Sequence, residues 1–180
     1  MIISLPNGCQ CDIGRIWDSF YVILEVYYLG SYDSLSIKPT DIVLDCGAHI
    51  GLFALKVASL CSRIIAVEPA SSNFHLMRKN IKLNHLKSKI IPIKRIVHAK
   101  SGIFARLSLA RRSGEHSIHN SVLVSAEILE TITVDDLSKN LGLKFDVIKI
   151  DVEGAEVDVL KGAEQTLAYA RAVIMEYHSR

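Results

Sequence analysis

A short apolar run that ends on an acid, turns through two glycines and continues as a helix is the feature that most constrains this chain. The stretch is IVLDCGAHIGLFAL, residues 42–55. Its apolar spacing predicts a buried strand, a tight turn and a helix. Gly47 and Gly51 let the backbone turn sharply and let a ligand lie against the main chain, while the helix N-terminus offers free N–H groups. The stretch therefore predicts a nucleotide-type ligand at the edge of an open α/β sheet.

The next apolar run ends on Glu68, where a second strand would place a carboxylate against a ribose diol. A dinucleotide fingerprint starting at Gly47 requires glycine where the chain has His49 and Leu52, so a nicotinamide oxidoreductase is disfavoured. Asp45 at the strand end disfavours phosphates and favours a ligand with an ammonium and a sulfonium group. The pattern indicates a cationic adenosine derivative. The alternative is an ordinary strand, turn and helix with a capping Asp45.

Length and composition favour one globular domain: the chain has 180 residues, of which 49% are hydrophobic, and a formal net charge of +2. We expect residues 1–40 to form an N-terminal hairpin and helix, and residues 41–180 the nucleotide-binding sheet. No apolar run reaches the roughly 18 residues of a membrane span. The N-terminus lacks a secretion signal, so a cytoplasmic protein is expected. The four cysteines form no zinc spacing, and no metal site is predicted.

Strands alternate with helices along the chain, which predicts a parallel, doubly wound sheet with right-handed crossovers. Asn7-Gly8 predicts a β-hairpin outside that sheet. Residues 103–130 form two alternating apolar runs around a polar stretch, which indicates an antiparallel excursion with a mobile loop. After the first strand, further strands are predicted at 63–68, 90–97, 146–150 and 172–176, and helices at 17–28, 52–60, 71–84, 133–141 and 157–170.

The stretch IKIDVEGAEVDVLKGA, residues 148–163, resembles the hallmark of FkbM-type methyltransferases, a family of S-adenosylmethionine-dependent enzymes best associated with O-methylation. The resemblance covers about residues 18–178 and implies a Rossmann-like methyltransferase sheet with S-adenosylmethionine as cofactor. Four other stretches match the family pattern in order: Asp45–Gly51, Val67–Pro69, Asn73–Asn80 and Thr133–Leu137.

Family members usually continue past the fifth strand with a helix and two antiparallel strands, which do not follow here. We therefore expect a sheet without its last antiparallel strands. Either a partner subunit covers the exposed edge in a homo-oligomer, or the chain is a truncated member with impaired activity. Around His98 and Ala99 the chain also departs from the family pattern, which leaves the adenine contacts open.

Carried over residue by residue, the resemblance also assigns the cofactor-binding side chains. It implies that Asp45, Gly47, His49 and Gly51 form the methionine-side and turn contacts. Glu68 would bind the ribose, and Asn73 would be a supporting polar contact. Tyr32 lines the cofactor pocket, belongs to the core or lies on the surface.

The resemblance places Asp151 and Glu153 opposite the methyl group. Glu153 is the first choice for a general base, Asp151 the second, and His178 a further option after the next strand. The alternative is that both acids cap the following helix.

No acidic residue occurs from Pro69 to Gly114, a stretch that holds eleven Lys and Arg residues. Such a block attracts an anion, or is simply the solvated face of a helix. Two function classes stay open. The first is a methyltransferase acting on a hydroxyl of a small molecule or sugar, anionic acceptors included. His116 and His119 belong to a solvated loop or, if that loop closes over the site, hydrogen-bond the acceptor. The second is a catalytically silent nucleotide- or RNA-binding module that uses residues 78–112.

Overall fold

Five parallel strands form the central sheet of the protein, in a computed structural model that describes residues 1–14, 16–109 and 125–178. The elements are, in chain order, β1 (Ile2–Ser4), β2 (Gln10–Asp12), α1 (Ile16–Tyr27), β3 (Ile42–Cys46), α2 (Leu52–Val57), β4 (Arg63–Val67), α3 (Ser71–Leu83), β5 (Ile90–Ile93), β6 (Ile96–Val97), β7 (Phe104–Leu109), β8 (Ser125–Ile132), α4 (Val134–Leu141), β9 (Val147–Ile150), α5 (Glu156–Lys161), α6 (Glu164–Leu167) and β10 (Ala172–Met175).

The central sheet has the strand order β10-β9-β3-β4-β5, and every neighbouring pair is parallel. Successive side chains of a strand point to opposite faces. Val43 and Ile64 accordingly pack into one core with α2, while Leu44 and Ile65 pack into another with α4. Because both faces are covered, the strands are apolar apart from Asp45, Arg63 and Lys149. The predicted parallel α/β sheet is confirmed.

The N-terminal hairpin lies outside the central sheet, as the Asn-Gly turn predicts. β1 and β2 pair antiparallel in a two-stranded sheet of their own. The side-chain amides of Asn80 on α3 and of Asn84 just after it hold β2 in place. Asn80 Oδ1 accepts from Asp12 N and Asn84 Oδ1 from Gln10 N, each at 2.7 Å. These bonds attach the hairpin to α3 and its C-terminal end.

The antiparallel excursion is also present, as β7 paired with β8. The predicted third strand over residues 90–97 is wrong as a single element, because the chain leaves the central sheet after Ile93 and β6 pairs parallel with β8. The charged residues at the break explain the change of direction: Lys94 lies 3.2 Å from Glu127, and Arg95 lies 3.0 Å from Glu130. The polar stretch with His116 and His119 is outside the described residues.

The predicted helix over residues 157–170 is likewise two helices, α5 and α6, that meet at Gly162. A Cβ atom on Gly162 would lie 2.4 Å from the His98 carbonyl oxygen, so only glycine permits this approach. The Asp135 carboxylate accepts from the N–H groups of Gln165 and Thr166 at 3.0 and 2.8 Å. It therefore stabilises the first turn of the new helix α6. Asp135 itself lies in the first turn of α4, so this residue contributes to the starts of two helices.

β10 lies at one edge of the central sheet and leaves Val173 and Met175 about 40% exposed. The self-association that the sequence suggests remains a prediction. Among the described residues, no helix combines the length and the apolar character needed to cross a bilayer.

Candidate active site

A cleft opens at the carboxyl ends of the central strands, the edge where open parallel sheets bind ligands. The space enclosed within it is about 120 Å³, and a volume of about 850 Å³ is reached only when the open mouth is counted. The residues that line it are Val22, Glu25, Gly47, His49, Val67, Glu68, Pro69, Asn73, Arg95, Ile96, Val97, Leu107, Asp151, Val152, Glu153, Ala155 and Glu176.

The turn after β3 is fixed to the strands on both sides of it. The N–H groups of Gly47 and Ala48 both donate to the Val67 carbonyl oxygen at 3.0 Å. Gly47 has a φ of +80°, and a Cβ atom there would lie 1.7 Å from the Asp151 carbonyl oxygen, so no other residue fits. His49 lines the cleft with a positive φ of 53°. Gly51 begins α2 and is not among the described cleft residues.

Glu68 lies at the end of β4 with its carboxylate held by the backbone. Its Oε1 accepts from Ala70 N and its Oε2 from His49 N, each at 2.9 Å, and the Asn73 side chain also hydrogen-bonds to it. Burial raises the pKa of Glu68 to about 7 despite these bonds. The carboxylate is therefore rigidly oriented at the cleft wall, where it can accept hydrogen bonds from two adjacent hydroxyls.

Asp45 is fully buried and is not among the described cleft residues. It forms an ion pair with Lys149, whose Nζ lies 3.2 Å from Asp45 Oδ1, although neither carboxylate oxygen has an aligned hydrogen bond among the described residues. The same Nζ lies 3.2 Å from the Gly47 carbonyl oxygen and 3.2 Å from Asp151 Oδ2. Burial opposes the charge of Lys149, but Asp45 and Asp151 outweigh it and raise its pKa well above the ordinary value. Lys149 is not among the site residues predicted from the sequence.

Asp151 and Glu153 follow β9 and meet inside the cleft, as predicted. They are joined by Glu176 and His178 from the segment after β10: His178 Nε2 lies 3.6 Å from Glu153 and 3.4 Å from Glu176. Burial raises the pKa of Glu153 to about 7, with Asp151 and Glu176 adding to the effect and His178 opposing it. A half-buried carboxylate with this pKa is suited to proton transfer at neutral pH.

Glu156 orients the outer part of this cluster. It is 1% exposed; its Oε1 accepts from Gly154 N at 2.9 Å and lies 3.0 Å from His178 Nδ1. Burial opposes a positive charge on His178, but Glu156 and Glu153 outweigh it and raise the pKa of the imidazole. α5 begins after Ala155 without a side-chain cap, so the helix start does not explain Asp151 or Glu153.

Asp151, Glu153 and His178 place one ligand atom each within 4.8 Å of one another. His178 adds a nitrogen ligand to the two carboxylates, whereas Mg²⁺ and Ca²⁺ prefer oxygen ligands. From the sequence, His178 was predicted only as a further option for the general base. The cluster can hold a cation. It can also transfer protons without a metal ion, because His178 already pairs with Glu153.

The remaining predicted groups lie away from the cleft or contribute little to it. Tyr32 packs on Phe53 at 5.0 Å in the core and is not among the described cleft residues. Among the described residues of the basic block, Arg95 lines the cleft, and its guanidinium forms an ion pair with Glu130 at 3.0 Å. Other basic side chains line a separate groove on α3 and before β5: His75, Arg78, Lys79, Lys82 and Lys87.

Taken together, the parallel sheet, the glycine turn and the buried carboxylate after β4 define a Rossmann-like α/β domain. The profile of the methyltransferase FkbM domain matches residues 45–180, and the chain belongs to this family. A crystal structure of methyltransferase FkbM from Methylobacillus flagellatus is similar in fold, with a TM-score of 0.58 at 17% identity over 84% of this chain and 36% of that one.

Curated proteins with similar sequences match most of this chain, but the matched part is a smaller share of their own length. The hexuronic acid methyltransferase AglP of Haloferax volcanii is 29% identical over 77% of this chain and 56% of its own length. The AMB antimetabolite synthetase AmbE of Pseudomonas aeruginosa is 26% identical over 99% of this chain and 10% of its own. Methyltransferase sdnD of Sordaria araneosa is 24% identical over 87% and 73%. The chain thus spans about half or less of the first two relatives.

Proposed function

We propose that this domain transfers a methyl group from S-adenosylmethionine to a hydroxyl oxygen of a small molecule or sugar. The observation that carries the proposal is that one cleft holds both required elements. Glu68 offers a backbone-oriented carboxylate for a ribose diol, and Glu153 offers a carboxyl with a pKa of about 7 next to Asp151. The family assignment supports the same reaction class.

The residues present fit this cofactor. Gly47 leaves main chain, without a side chain, facing the cleft beside His49, and Glu68 presents oxygens that two ribose hydroxyls can reach. The absence of glycine at His49 removes the space a pyrophosphate needs. S-adenosylmethionine supplies a methyl group that its sulfonium already activates. The protein therefore has to align an acceptor, exclude water and receive a proton.

We assign the proton transfer to Glu153. As an acceptor hydroxyl loses its proton, the carboxylate at this position takes it, which a pKa of about 7 allows at neutral pH. Asp151 is held in place by Lys149, so we assign it to orienting the acceptor. His178 lies next to Glu153 and stabilises its ionised form.

The charges of the cleft also restrict the acceptor. Glu25, Asp151, Glu153 and Glu176 line it, whereas Arg95 is already paired with an acid. A carboxylate or phosphate on the acceptor would meet this acidic wall at a cost. We therefore propose a neutral or cationic hydroxylated acceptor, and from AglP we take only the class of a sugar or sugar-like molecule.

Calorimetric titration with S-adenosylhomocysteine and with NAD tests the cofactor. We expect micromolar binding of the first and no binding of the second, and the reverse result would overturn the proposal. The Glu153→Gln variant tests the chemistry, because the amide keeps the shape but cannot take a proton. We expect near wild-type binding of S-adenosylhomocysteine and turnover slower by about 100-fold or more. Wild-type turnover in this variant would exclude Glu153 as the base.

The basic groove beside α3 favours a second candidate, a nucleotide- or RNA-binding module. Five basic side chains line this groove, and none of its lining residues is acidic. Lys79 is paired with Asp12 at 2.5 Å, which reduces the charge available. Salt-sensitive RNA binding by a protein that binds no S-adenosylhomocysteine would favour this candidate over the methyltransferase.

A further inference from the structure

Lys149 lies where the two halves of the cleft meet. β3 and β9 are adjacent parallel strands, and Asp45 is the register partner of Lys149. Opposed residues on neighbouring strands share one face of a sheet. The ammonium therefore reaches the end of β3 from β9 and contacts the turn that follows β3 as well as the loop that follows β9.

We propose that Lys149 is a positioning residue that sets the geometry of the cofactor and acceptor sides of the cleft together. The proposal rests on the proposed function. An ammonium group has three N–H donors, and Lys149 has three oxygen neighbours, each at 3.2 Å, in Gly47, Asp45 and Asp151. These three contacts thus fix the orientation of the Lys149 ammonium group.

Two of those three oxygens belong to residues that line the cleft, Gly47 and Asp151. The third belongs to Asp45, which lies beneath them and is fully buried. Asp45 thus acts on a ligand through Lys149, although the sequence suggested a direct contact. Removing the ammonium would release the Gly47 carbonyl group and the Asp151 carboxylate at the same time.

The surroundings of Lys149 keep this contact set away from water. The lysine is 3% exposed, and its Nζ lies 5.7 Å from the ring centre of Tyr32 and 5.9 Å from that of Phe53. Aromatic faces attract a cation and shield its ion pairs from solvent. In such surroundings an unpaired Asp45 carboxylate would be strongly unfavourable.

The experiment compares Lys149→Met with the double variant Asp45→Asn/Lys149→Met, which removes both charges of the buried pair. Lys144→Met, an exposed lysine on the segment before β9, is the matched control. Binding of S-adenosylhomocysteine is measured by calorimetry and the melting temperature by circular dichroism. We expect Lys149→Met to melt earlier and to bind at least about ten-fold more weakly, and Lys144→Met to behave as wild type.

The double variant separates positioning from mere charge compensation. Because neutral replacement of a buried ion pair is often tolerated, we expect its melting temperature to return toward the wild-type value while binding stays about ten-fold or more weaker. Binding within two-fold of wild type at a recovered melting temperature would overturn the proposal. If Lys149→Met does not fold, the double variant alone decides. If the wild-type protein itself does not bind S-adenosylhomocysteine, the proposed function fails instead.

Discussion

Replacing Glu68 with alanine should weaken S-adenosylhomocysteine binding and change the pH dependence of stability. The ionised carboxylate accepts hydrogen bonds from the ligand's hydroxyls in the proposed complex. Loss of hydrogen bonds to a charged group costs about 1.5–3 kcal/mol. That free energy corresponds to roughly 10- to 150-fold in the dissociation constant. The measurement is calorimetry at pH 8, where Glu68 is ionised, and unchanged affinity would remove Glu68 from the site.

The same substitution affects folding through two opposing contributions. The N–H groups of Ala70 and His49 lose their acceptor, which costs roughly 1–3 kcal/mol each. Against this, the folded-state pKa of Glu68 is raised from 4.5 to about 7 by burial, so ionisation costs the wild-type protein roughly 3 kcal/mol. Between pH 4.5 and about 7, Glu68 is protonated more in the folded state than in the unfolded state. Its contribution to the free energy of unfolding of the wild-type protein therefore falls as the pH rises through this range.

Glu68→Ala should therefore be clearly less stable than wild type at pH 5 and closer to it at pH 8. Urea unfolding at both pH values measures this difference. Glu127→Ala is the matched control, because its carboxylate also accepts a helix N–H, from Ser71 at 2.9 Å, but it is not among the described cleft residues. It should lose about 1 kcal/mol of stability and keep its ligand affinity. A Glu68→Ala deficit that is the same at both pH values would refute the assigned ionisation.

Three further outcomes are expected. Gly47→Ala should abolish ligand binding and lower the melting temperature strongly, because the new Cβ would overlap the backbone of the loop after β9. The control Gly142→Ala, whose Cβ would meet nothing within 4 Å, should cost only about 1 kcal/mol. Equal melting temperatures of the two variants would contradict this prediction. Asp135→Ala should lose about 1–2 kcal/mol in urea unfolding without a change in ligand affinity, since its carboxylate begins α6. Chelation with EDTA should leave turnover within about two-fold, because His178 already compensates the neighbouring acids; activity restored only by added Mg²⁺ would show a metal requirement.

The parts of the site that follow local pattern were predictable from sequence. Asp45 and Glu68 each end a continuous apolar run, and such a run predicts a buried parallel strand whose carboxyl end meets the ligand edge. Gly47 follows immediately, so the turn was predictable as well. The structure brings Gly47, Glu68, Asp151 and Glu153 to one cleft. Whether Glu68 contacts ribose remains a prediction.

Lys149 was not predictable in the same way, because its role depends on which strands are neighbours. In the sequence it interrupts an apolar run, which resembles a solvated strand position. Only the insertion of β9 next to β3 places it opposite Asp45. His178 was proposed as a further base, but its contact with Glu156 depends on the path of the chain after β10. Both are consequences of strand order, which hydrophobic periodicity does not encode.

The two cations also explain how so many acids can share one cleft. Lys149 lies beneath Asp151 and keeps its charge at any physiological pH, because its pKa is raised well above the ordinary value. His178 lies beside Glu153 and Glu176, and both of these carboxyls have a pKa of about 7. Changes of pH near neutrality therefore alter the Glu153 side of the cluster, whereas the contact of Lys149 with Asp151 and Gly47 persists. A proton can be exchanged at Glu153 without loss of the geometry that Lys149 maintains, which is what a base next to a fixed cofactor site requires.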